Sequence, residues 1–329
     1  MTTKYNNVYI NATGTVTGPY EANGPFSKYF DRSYNDFYFG TSTWEQAESK
    51  LIMDSIDILL SKIGKTRFDI DLHISGDLLN QIVASNYAAS NLKIPYLGIY
   101  NACATSVEGL IIASNFIESK QITNAIVSVS SHNNGAEKQF RYPVEYGGPK
   151  RKTTTFTTTG GASAYLSREK SSIKVDSTTV GIVTDLGVKD VYHMGAVMAP
   201  AAASTIYNHL IDLGRTIDYY DLILTGDLGI YGKDILKEYM KTEYNIELNN
   251  YDDAASMIFN IDREPVYAGG SGPACLPLIA YSYIFDMMKE KKYKKVLLVA
   301  TGALMSPTMV NQKLTIPSIA HAICLEVVE

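Results

Sequence analysis

The stretch GKTRFDIDLHISGDLL (Gly64–Leu79) returns 150 residues later as GRTIDYYDLILTGDLG (Gly214–Gly229), with no gap between the two copies. Gly, Thr, Asp, Leu, Gly, Asp and Leu recur in register. Each copy follows a helical pattern of apolar residues and ends an apolar, strand-like run with Gly-Asp. A match of this length indicates an internal duplication, which constrains the fold more than any single element does.

The segments after the two copies also match each other. A small-residue turn and a long apolar helix follow in YLGIYNACATSVEGLIIASNFIESK (96–120) and in VYAGGSGPACLPLIAYSYIFDMMKE (266–290), and each leads to another apolar strand. Strands that alternate with helices predict an α/β fold. We expect a duplicated β-α-β core with mostly parallel sheets and sandwiched helices. The two halves, residues 1–170 and 171–329, should be related by a pseudo-twofold axis.

An edge-type strand is expected to open each half, over NVYINATGTVTG (7–18) and SIKVDSTTVGIVTDLG (172–187). Ligands of such folds bind at the carboxyl ends of the strands. The predicted strand ends carry Asp77, Cys103, His132 and Asp227, among other residues. The polar segment 131–162, rich in Gly and Thr, breaks the symmetry of the two halves, and we expect it to cover a pocket there.

Composition excludes several classes of protein. The 329 residues are 46% hydrophobic and 19% charged, with a net charge of −5. There is no basic stripe, so nucleic acid is not an expected partner. The three cysteines, Cys103, Cys275 and Cys324, lack the spacing of a disulfide framework or a zinc site, and no metal or cofactor is expected. The N-terminus does not look like a signal peptide, and no apolar run is long enough to span a membrane.

The duplicated core with Ala-Cys at a strand-to-helix turn resembles the thiolase superfamily, and the segment 98–133 is similar to the nucleophile region of a ketoacyl synthase. The chain resembles one member family more closely over nearly its whole length, the stage V sporulation protein AD family. The strings that carry this resemblance include GPFSKYFD (24–31), ACATS (102–106), EKQFRYPVEYGG (137–148), MAPAAA (198–203), LVATGALMSPT (298–308) and IPSIAHA (316–322).

The resemblance implies a function in sporulation. Proteins of this family are held to bind dipicolinic acid, pyridine-2,6-dicarboxylate. They belong to the stage V sporulation A apparatus that moves this acid into the forespore. We therefore expect dipicolinic acid or its calcium complex as ligand and the membrane components of that apparatus as partners. The expected location is peripheral, at the forespore or spore inner membrane.

Cys103 is the first candidate for chemistry. It precedes a predicted helix, whose amide groups and dipole favour a thiolate, so we expect a lowered pKa. Acyl transfer also needs a base. By the resemblance, Asp227 and Leu276 stand where ketoacyl synthases and thiolases place histidines. An acyltransferase or ketoacyl synthase would therefore have to use Cys103 with His132 or His321 as base, and a binding protein without catalysis is the leading hypothesis.

A dianionic ligand needs cations and flat apolar surfaces. Arg141 can hold a carboxylate with two hydrogen bonds, and Tyr146 can stack on a ring. Asp77 either contributes to the site, together with Asn80, or caps the next helix, whereas Asp227 is expected to be a cap or to close a turn. The candidate ligand-binding residues are Cys103, Asp77, Asn80, His132, Arg141 and Tyr146.

Two further expectations concern assembly. A purely structural partner of a membrane complex, with a vestigial pocket, remains a third hypothesis for function. We also expect a homodimer that forms through the strand leading to Cys103, since superfamily members commonly continue their sheets across that region. The strand AIVSVSS (125–131) is the candidate interface, because pairing would cover an exposed edge.

Overall fold

The computed structural model describes residues 1–140, 150–262 and 265–328. The strands are β1 (Thr2–Lys4), β2 (Tyr9–Thr17), β3 (Arg32–Ser33), β4 (Leu72–Gly76), β5 (Tyr96–Gly98), β6 (Asn124–Ser131), β7 (Phe156–Thr157), β8 (Gly160–Ser167), β9 (Ile173–Thr179), β10 (Leu222–Thr225), β11 (Tyr251–Asp253), β12 (Gly270–Ser271), β13 (Lys295–Ala303) and β14 (Ser318–Val327).

The helices alternate with these strands. They are α1 (Trp44–Ile63), α2 (Val83–Leu92), α3 (Thr105–Glu118), α4 (Asn133–Phe140), α5 (Met194–Leu213), α6 (Gly229–Tyr244), α7 (Ala254–Met257), α8 (Cys275–Ile279), α9 (Phe285–Lys289) and α10 (Pro307–Asn311). One π-helical stretch, Ala280–Ile284, joins α8 to α9. Short 3₁₀ turns cover Glu21–Asn23, Ser27–Tyr29, Arg67–Asp69, Asn80–Ile82 and Ile217–Tyr219.

The duplicated stretch has the same structure in both copies. Each copy begins where a 20-residue helix, α1 or α5, ends on a glycine. Gly64 has φ 62° and Gly214 has φ 61°, a left-handed conformation that favours glycine at a helix C-terminus. Each then passes through a 3₁₀ turn into a buried strand, β4 or β10. The predicted duplication is therefore confirmed.

The two halves also share one strand order. Within the described residues, the main sheet runs β11-β10-β13-β14-β9-β2-β8-β6-β4-β5, with β1 paired to β9 and β3 paired to β2. Outward from the β9–β2 pair, each half has its first long strand (β2 or β9), then its last strand (β8 or β14). A group of three parallel strands follows, β6, β4 and β5 in one half and β13, β10 and β11 in the other. The order of one half thus mirrors that of the other, as a pseudo-twofold relation requires.

The strands are not mostly parallel as predicted. Parallel pairing holds for the outer strands, β4 with β5 and β6, and β10 with β11 and β13. The inner pairs are antiparallel, including β6 with β8 and β13 with β14. Parallel neighbours need a crossover, which the helices before β6 and β13 provide, whereas β13 reaches β14 through a connection without a crossover. Each half therefore has a mixed sheet.

The prediction of edge strands at the start of each half is wrong. These segments form β2 and β9, which lie at the centre of the sheet order. They pair with each other only at their first residues, Tyr9 with Lys174 and Ile10 with Ile173. Both strands are largely buried, since each also pairs with the last strand of its own half. The two strands that we expected at sheet edges thus lie side by side where the two halves meet.

Two layers of helices cover the outer faces, and a third lies inside. In the first half α1 packs on β2, β6 and β8, and in the second half α5 packs on β13 and β14. The helix α3 contacts β6 of its own half and β13 and β14 of the other half, so it lies between the two half-sheets. The helix α8 correspondingly contacts β8. The central helices thus fix where Cys103, just before α3, meets the second half.

The strand AIVSVSS is not at an edge. It lies within β6, all eight residues of which are buried, and it pairs with β4 and β8. The prediction that this strand forms an interface is therefore wrong. The strand that leads to Cys103 is β5, which ends the sheet order and has exposed residues, and association through β5 stays a prediction.

Among the described residues, none of the helices has both the length and the apolar character needed to cross a bilayer. The chain passes from β8 to β9 between Ser167 and Ile173. The division at residue 170 into separate domains stays a prediction.

Candidate functional site

A tight turn between β5 and α3 presents Cys103. The preceding residue, Ala102, has φ 50°, a left-handed conformation that costs a non-glycine residue about 1–2 kcal/mol. The turn is closed because the Ala104 amide donates to the Asn101 carbonyl. Gly302 at the end of β13 packs against this turn, and a Cβ there would lie 2.6 Å from the Asn101 oxygen. The second half thus holds the cysteine turn of the first half in place.

Cys103 lies on the wall of a cavity formed by both halves. The cavity has about 570 Å³ of space between protein atoms, including its open mouth. Its walls are mainly apolar, with two aromatic rings, three methionines and a few hydroxyl groups. The lining residues are Leu78, Tyr100, Ala102, Cys103, Ala136, Glu137, Phe140, Thr155, Thr157, Met194, Met198, Ser271, Ala303 and Met305.

The segment 131–162 was expected to be a loop over the pocket. Its described part instead contains α4, β7 and the start of β8, and α4 supplies one wall of the cavity. Arg141 and Tyr146, two of the predicted ligand-binding residues, lie outside the described residues. Phe140, directly before Arg141 in the chain, lines both the cavity and the groove outside it.

Asp227 lies next to Cys103, although the sequence led us to expect only a cap or a turn-closing residue there. It is fully buried, and neither of its oxygens has a hydrogen-bonding partner of good geometry among the described residues. Burial, and then the charge of Asp253, raise the pKa of Asp227 well above its ordinary value, while the Gly272 amide and the Cys103 thiol oppose that shift. The carboxyl group next to Cys103 therefore keeps its proton to a higher pH than an exposed aspartic acid does.

The pKa of the Cys103 thiol is also raised. Burial first, and then Asp227, raise the pKa of Cys103 well above that of a free thiol. Ser271, whose hydroxyl oxygen lies 3.8 Å from the sulfur, and the Gly272 amide lower it by less. The expectation of a lowered pKa is therefore wrong, because loss of hydration and a neighbouring acid outweigh the start of α3. Cys103 carries a thiol and not a thiolate.

Asp77 takes the capping role, one of the two alternatives expected for it, whereas Asp227 does not take the capping role expected of it. The Asp77 carboxylate accepts hydrogen bonds of 2.8 Å from the amides of Leu79 and Ser85. It therefore closes the turn after β4 and caps α2, and it does not line the cavity. In the second half Asp253 caps α6 instead, because its oxygens accept from the amides of Leu228 and Gly229. Asp227 is thus left without a capping role.

His132 does not face the cavity. Its Nε2 donates to the Phe37 carbonyl at 2.8 Å, and its Nδ1 accepts from the Gly135 amide at 3.4 Å. Burial lowers the pKa of His132 to about 4, so the ring is neutral near pH 7. Both ring nitrogens are engaged, and the histidine holds together the segment after β6. This arrangement leaves no lone pair to accept a proton from Cys103.

His321 is similarly engaged. Its Nδ1 accepts from the Gly181 amide at 3.1 Å, so the neutral ring carries its proton on Nε2. That nitrogen lies 2.7 Å from Nδ2 of Asn101, in the turn before Cys103, so a proton on Nε2 requires the Asn101 amide to be turned with its oxygen toward the ring. Burial lowers the pKa of His321 to about 4. His321 therefore supports the cysteine turn through Asn101, and it has no free acceptor atom.

Asn80 lies outside the inner cavity, at its mouth. A groove of about 880 Å³, open to solvent, adjoins the cavity, and the two share Tyr100, Phe140 and Met305. Asn80 lines this groove, and its backbone amide donates to the side chain of Gln139 on α4. Of the predicted ligand-binding residues that the structure describes, Cys103 lines the cavity and Asn80 its mouth, while Asp77 and His132 lie behind the walls.

One group of side chains has the composition of a metal site. Asp176, Cys324 and Glu326 bring potential ligand atoms within 4.8 Å of one another. The Arg215 guanidinium already occupies this position, 2.8 Å from an Asp176 oxygen and 3.7 Å from the Cys324 sulfur. A cation of the chain itself is therefore already paired with one of the carboxylates of this cluster.

Comparison with known proteins agrees with this architecture. Two solved structures are similar over nearly the whole chain. The 3-oxoacyl-[acyl-carrier-protein] synthase III of Aquifex aeolicus has a TM-score of 0.60 at 15% identity, covering 97% of this chain and 99% of that one. An OleA variant of Xanthomonas campestris has a TM-score of 0.62 at 14% identity, covering 98% and 99%. At such identities the likeness shows the fold alone, and the predicted thiolase-like fold is confirmed.

Sequence comparison is more specific. Stage V sporulation protein AD of Bacillus subtilis (strain 168) is 46% identical over 319 residues, which is 97% of this chain and 94% of that protein. A model of the family described as stage V sporulation protein AD matches residues 2–326. This chain therefore belongs to the stage V sporulation protein AD family.

Proposed function

We propose that this protein binds dipicolinic acid in the cavity beside Cys103 and, with membrane components of the stage V sporulation A apparatus, supports its uptake into the forespore. Membership of the sporulation family supports the biological setting. The chemistry of the cavity supports a small aromatic ligand. Methionine sulfur contacts aromatic rings favourably, and Met194, Met198 and Met305 line the space together with the rings of Phe140 and Tyr100.

The observation that carries a binding role is that no free base lies beside the buried Cys103 thiol among the described residues. A nucleophilic cysteine needs a thiolate or a base that takes its proton. Here burial and Asp227 raise the pKa of the thiol, and the two candidate bases, His132 and His321, use both ring nitrogens in other hydrogen bonds. The site is thus better suited to holding a ligand than to acyl transfer.

An acyltransferase or ketoacyl synthase that uses Cys103 is the second candidate. It is favoured by one observation, the position of the sulfur on the cavity wall at the start of α3. It requires His132 or His321 to leave a present hydrogen bond. Incubation with acetyl-CoA or an acyl-carrier substrate should leave Cys103 unmodified in intact mass spectra, whereas an adduct that disappears in Cys103→Ser would establish this second function.

The test of binding is calorimetric titration with dipicolinate and, separately, with its calcium complex. Arg141→Ala should weaken dipicolinate binding about tenfold or more, since a charge-assisted hydrogen bond to a carboxylate contributes about 1.5–3 kcal/mol. Arg141→Lys should restore only part, because an ammonium group lacks the planar fork of donors. Cys103→Ala should matter less, because a neutral thiol gives little to a dianion.

Arg151→Ala is the matched control. It removes the same type of side chain from the same segment, but the Arg151 guanidinium is exposed and pairs with Asp190 at 2.7 Å. This variant should bind as the parent protein does. If the parent does not bind dipicolinate in either form at millimolar concentration, the proposed function is wrong. If Arg141→Ala binds as well as the parent, the ligand is held without Arg141.

A further inference from the structure

An ion pair adjoins the cavity, with one of its two members, Glu137, in the lining. Glu137 on α4 lines the cavity, and its carboxylate is 3.1 Å from the ammonium group of Lys150. The Glu137 side chain is only 6% exposed and the Lys150 side chain only 15%. Among the described lining residues, Glu137 is the only one of the Asp, Glu, Lys, Arg and His types. The pair therefore sets the local electrostatic field that an entering ligand meets.

Such a pair is unfavourable as a mere structural element. Two charges removed from water lose hydration, and their mutual attraction only partly offsets that loss. The pair also joins α4 to the chain that follows residue 149, which an apolar contact would do without this loss. An anionic ligand gives the pair a further interaction, because a carboxylate in the cavity would be repelled by Glu137 and attracted by Lys150.

We propose that Lys150 is a ligand-binding residue, which Glu137 holds at the cavity wall and which bridges the Glu137 carboxylate and a carboxylate of the bound ligand. This proposal rests on the proposed function and names the cation that one end of the dicarboxylate contacts. An ammonium group has three donors. The ion pair with Glu137 needs at most one of these donors, so two are left for the ligand and the pair can persist when the ligand enters.

The two members of the pair then have opposite effects on affinity. Lys150→Gln removes the cation but keeps a chain of similar length, and it leaves the Glu137 charge facing the ligand. Dipicolinate binding should weaken at least tenfold. Glu137→Gln keeps an oxygen that can accept from Lys150 and removes the repulsion, so binding should strengthen several-fold at low salt. If the ion pair had only a structural role, either both substitutions would weaken binding or neither would.

The experiment is calorimetric titration of the full chain and both variants with dipicolinate at low and at 150 mM salt. Lys152→Gln is the control, since Lys152 is exposed and the substitution changes the net charge equally. It should change the dissociation constant less than twofold. The uncharged isostere pyridine-2,6-dicarboxamide is the second control, since its binding, where measurable, should not distinguish the two variants. Thermal melting followed by circular dichroism establishes that each variant is folded.

The outcomes separate the two proposals. If the parent binds dipicolinate and the two variants do not move its affinity in opposite directions, Lys150 does not contact the ligand and only this inference is wrong. If Lys150→Gln is unfolded, Lys150→Arg decides, because it keeps the cation and should bind at least half as tightly as the parent. If the parent binds neither dipicolinate nor its calcium complex, this inference is wrong together with the proposed function.

Discussion

Replacement of Asp227 by asparagine should stabilise the protein, and the gain should increase with pH. The Asp227 carboxyl is fully buried, neither of its oxygens has a hydrogen-bonding partner of good geometry among the described residues, and burial raises its pKa well above 3.8. Asparagine has nearly the same shape and no titratable proton. The variant therefore removes the free-energy cost of keeping a carboxyl group in a place where it cannot ionise.

The magnitude follows from proton linkage. The unfolded chain releases the Asp227 proton above pH 3.8, whereas the native protein retains it up to the raised pKa. Between these two values the native state binds one proton more than the unfolded state, so the stability of the parent falls as pH rises. The loss is about 1.4 kcal/mol per pH unit. Asp227→Asn should gain up to about 2.7 kcal/mol on the parent between pH 5 and pH 7.

The assay is urea unfolding of both proteins at pH 5, 6, 7 and 8, followed by circular dichroism and by the fluorescence of Trp44. The pH at which the difference between them stops increasing gives the native pKa of Asp227. The surface control is Asp218→Asn, which removes a carboxyl group of the same kind from an exposed position. Asp77→Asn should instead destabilise the protein, because Asp77 accepts two backbone hydrogen bonds. A constant difference between Asp227→Asn and the parent from pH 5 to pH 8 would refute the reasoning.

Two further predictions concern the cysteine turn. Alkylation of Cys103 by iodoacetamide at pH 7.5 should be at least tenfold slower in the native protein than in urea, because burial and Asp227 raise the pKa of the thiol. Rates that agree within twofold in the two states would show an ordinary, accessible thiol. Gly302→Ala should lower the melting temperature and weaken ligand binding, because its Cβ would lie 2.6 Å from the Asn101 oxygen and 3.1 Å from the Ala104 nitrogen, an overpacking that costs about 1–3 kcal/mol. Gly135→Ala, where the closest contact of a Cβ is 3.3 Å, should have the smaller effect, and equal losses in the two variants would contradict this account of the turn.

Much of the architecture could be predicted from the sequence because its signals are local. The two glycines that end α1 and α5 take left-handed conformations, and the apolar runs after them form buried strands. The small residues around Cys103 form the predicted turn between a strand and a helix. These features depend on backbone conformation and on burial, both of which a few neighbouring residues largely determine.

The position of a strand within the sheet could not be predicted in this way. The strands β2, β6 and β9 were each assigned to an edge or an interface, and all three lie inside the sheet. An alternating or apolar pattern shows that a strand is buried, but it does not show which strands lie beside it. That depends on how the two halves meet, which involves residues more than 150 positions apart, such as Tyr9 and Lys174.

The site shows the same limit at the level of single side chains. Asp77 and Asp227 end the same duplicated motif, and nothing in the motif distinguishes a cap from a buried acid beside a thiol. The difference arises because Asp253, on the neighbouring strand β11, supplies the capping oxygens in the second half. The pair of Glu137 and Lys150 likewise forms only when α4 is folded over the cavity. The sequence by itself determined the duplicated core and the cysteine turn, because short-range backbone and burial preferences specify them. Only the tertiary structure decided which acids cap helices and which groups reach Cys103, because hydration and hydrogen bonding of a buried group depend on every element packed against it.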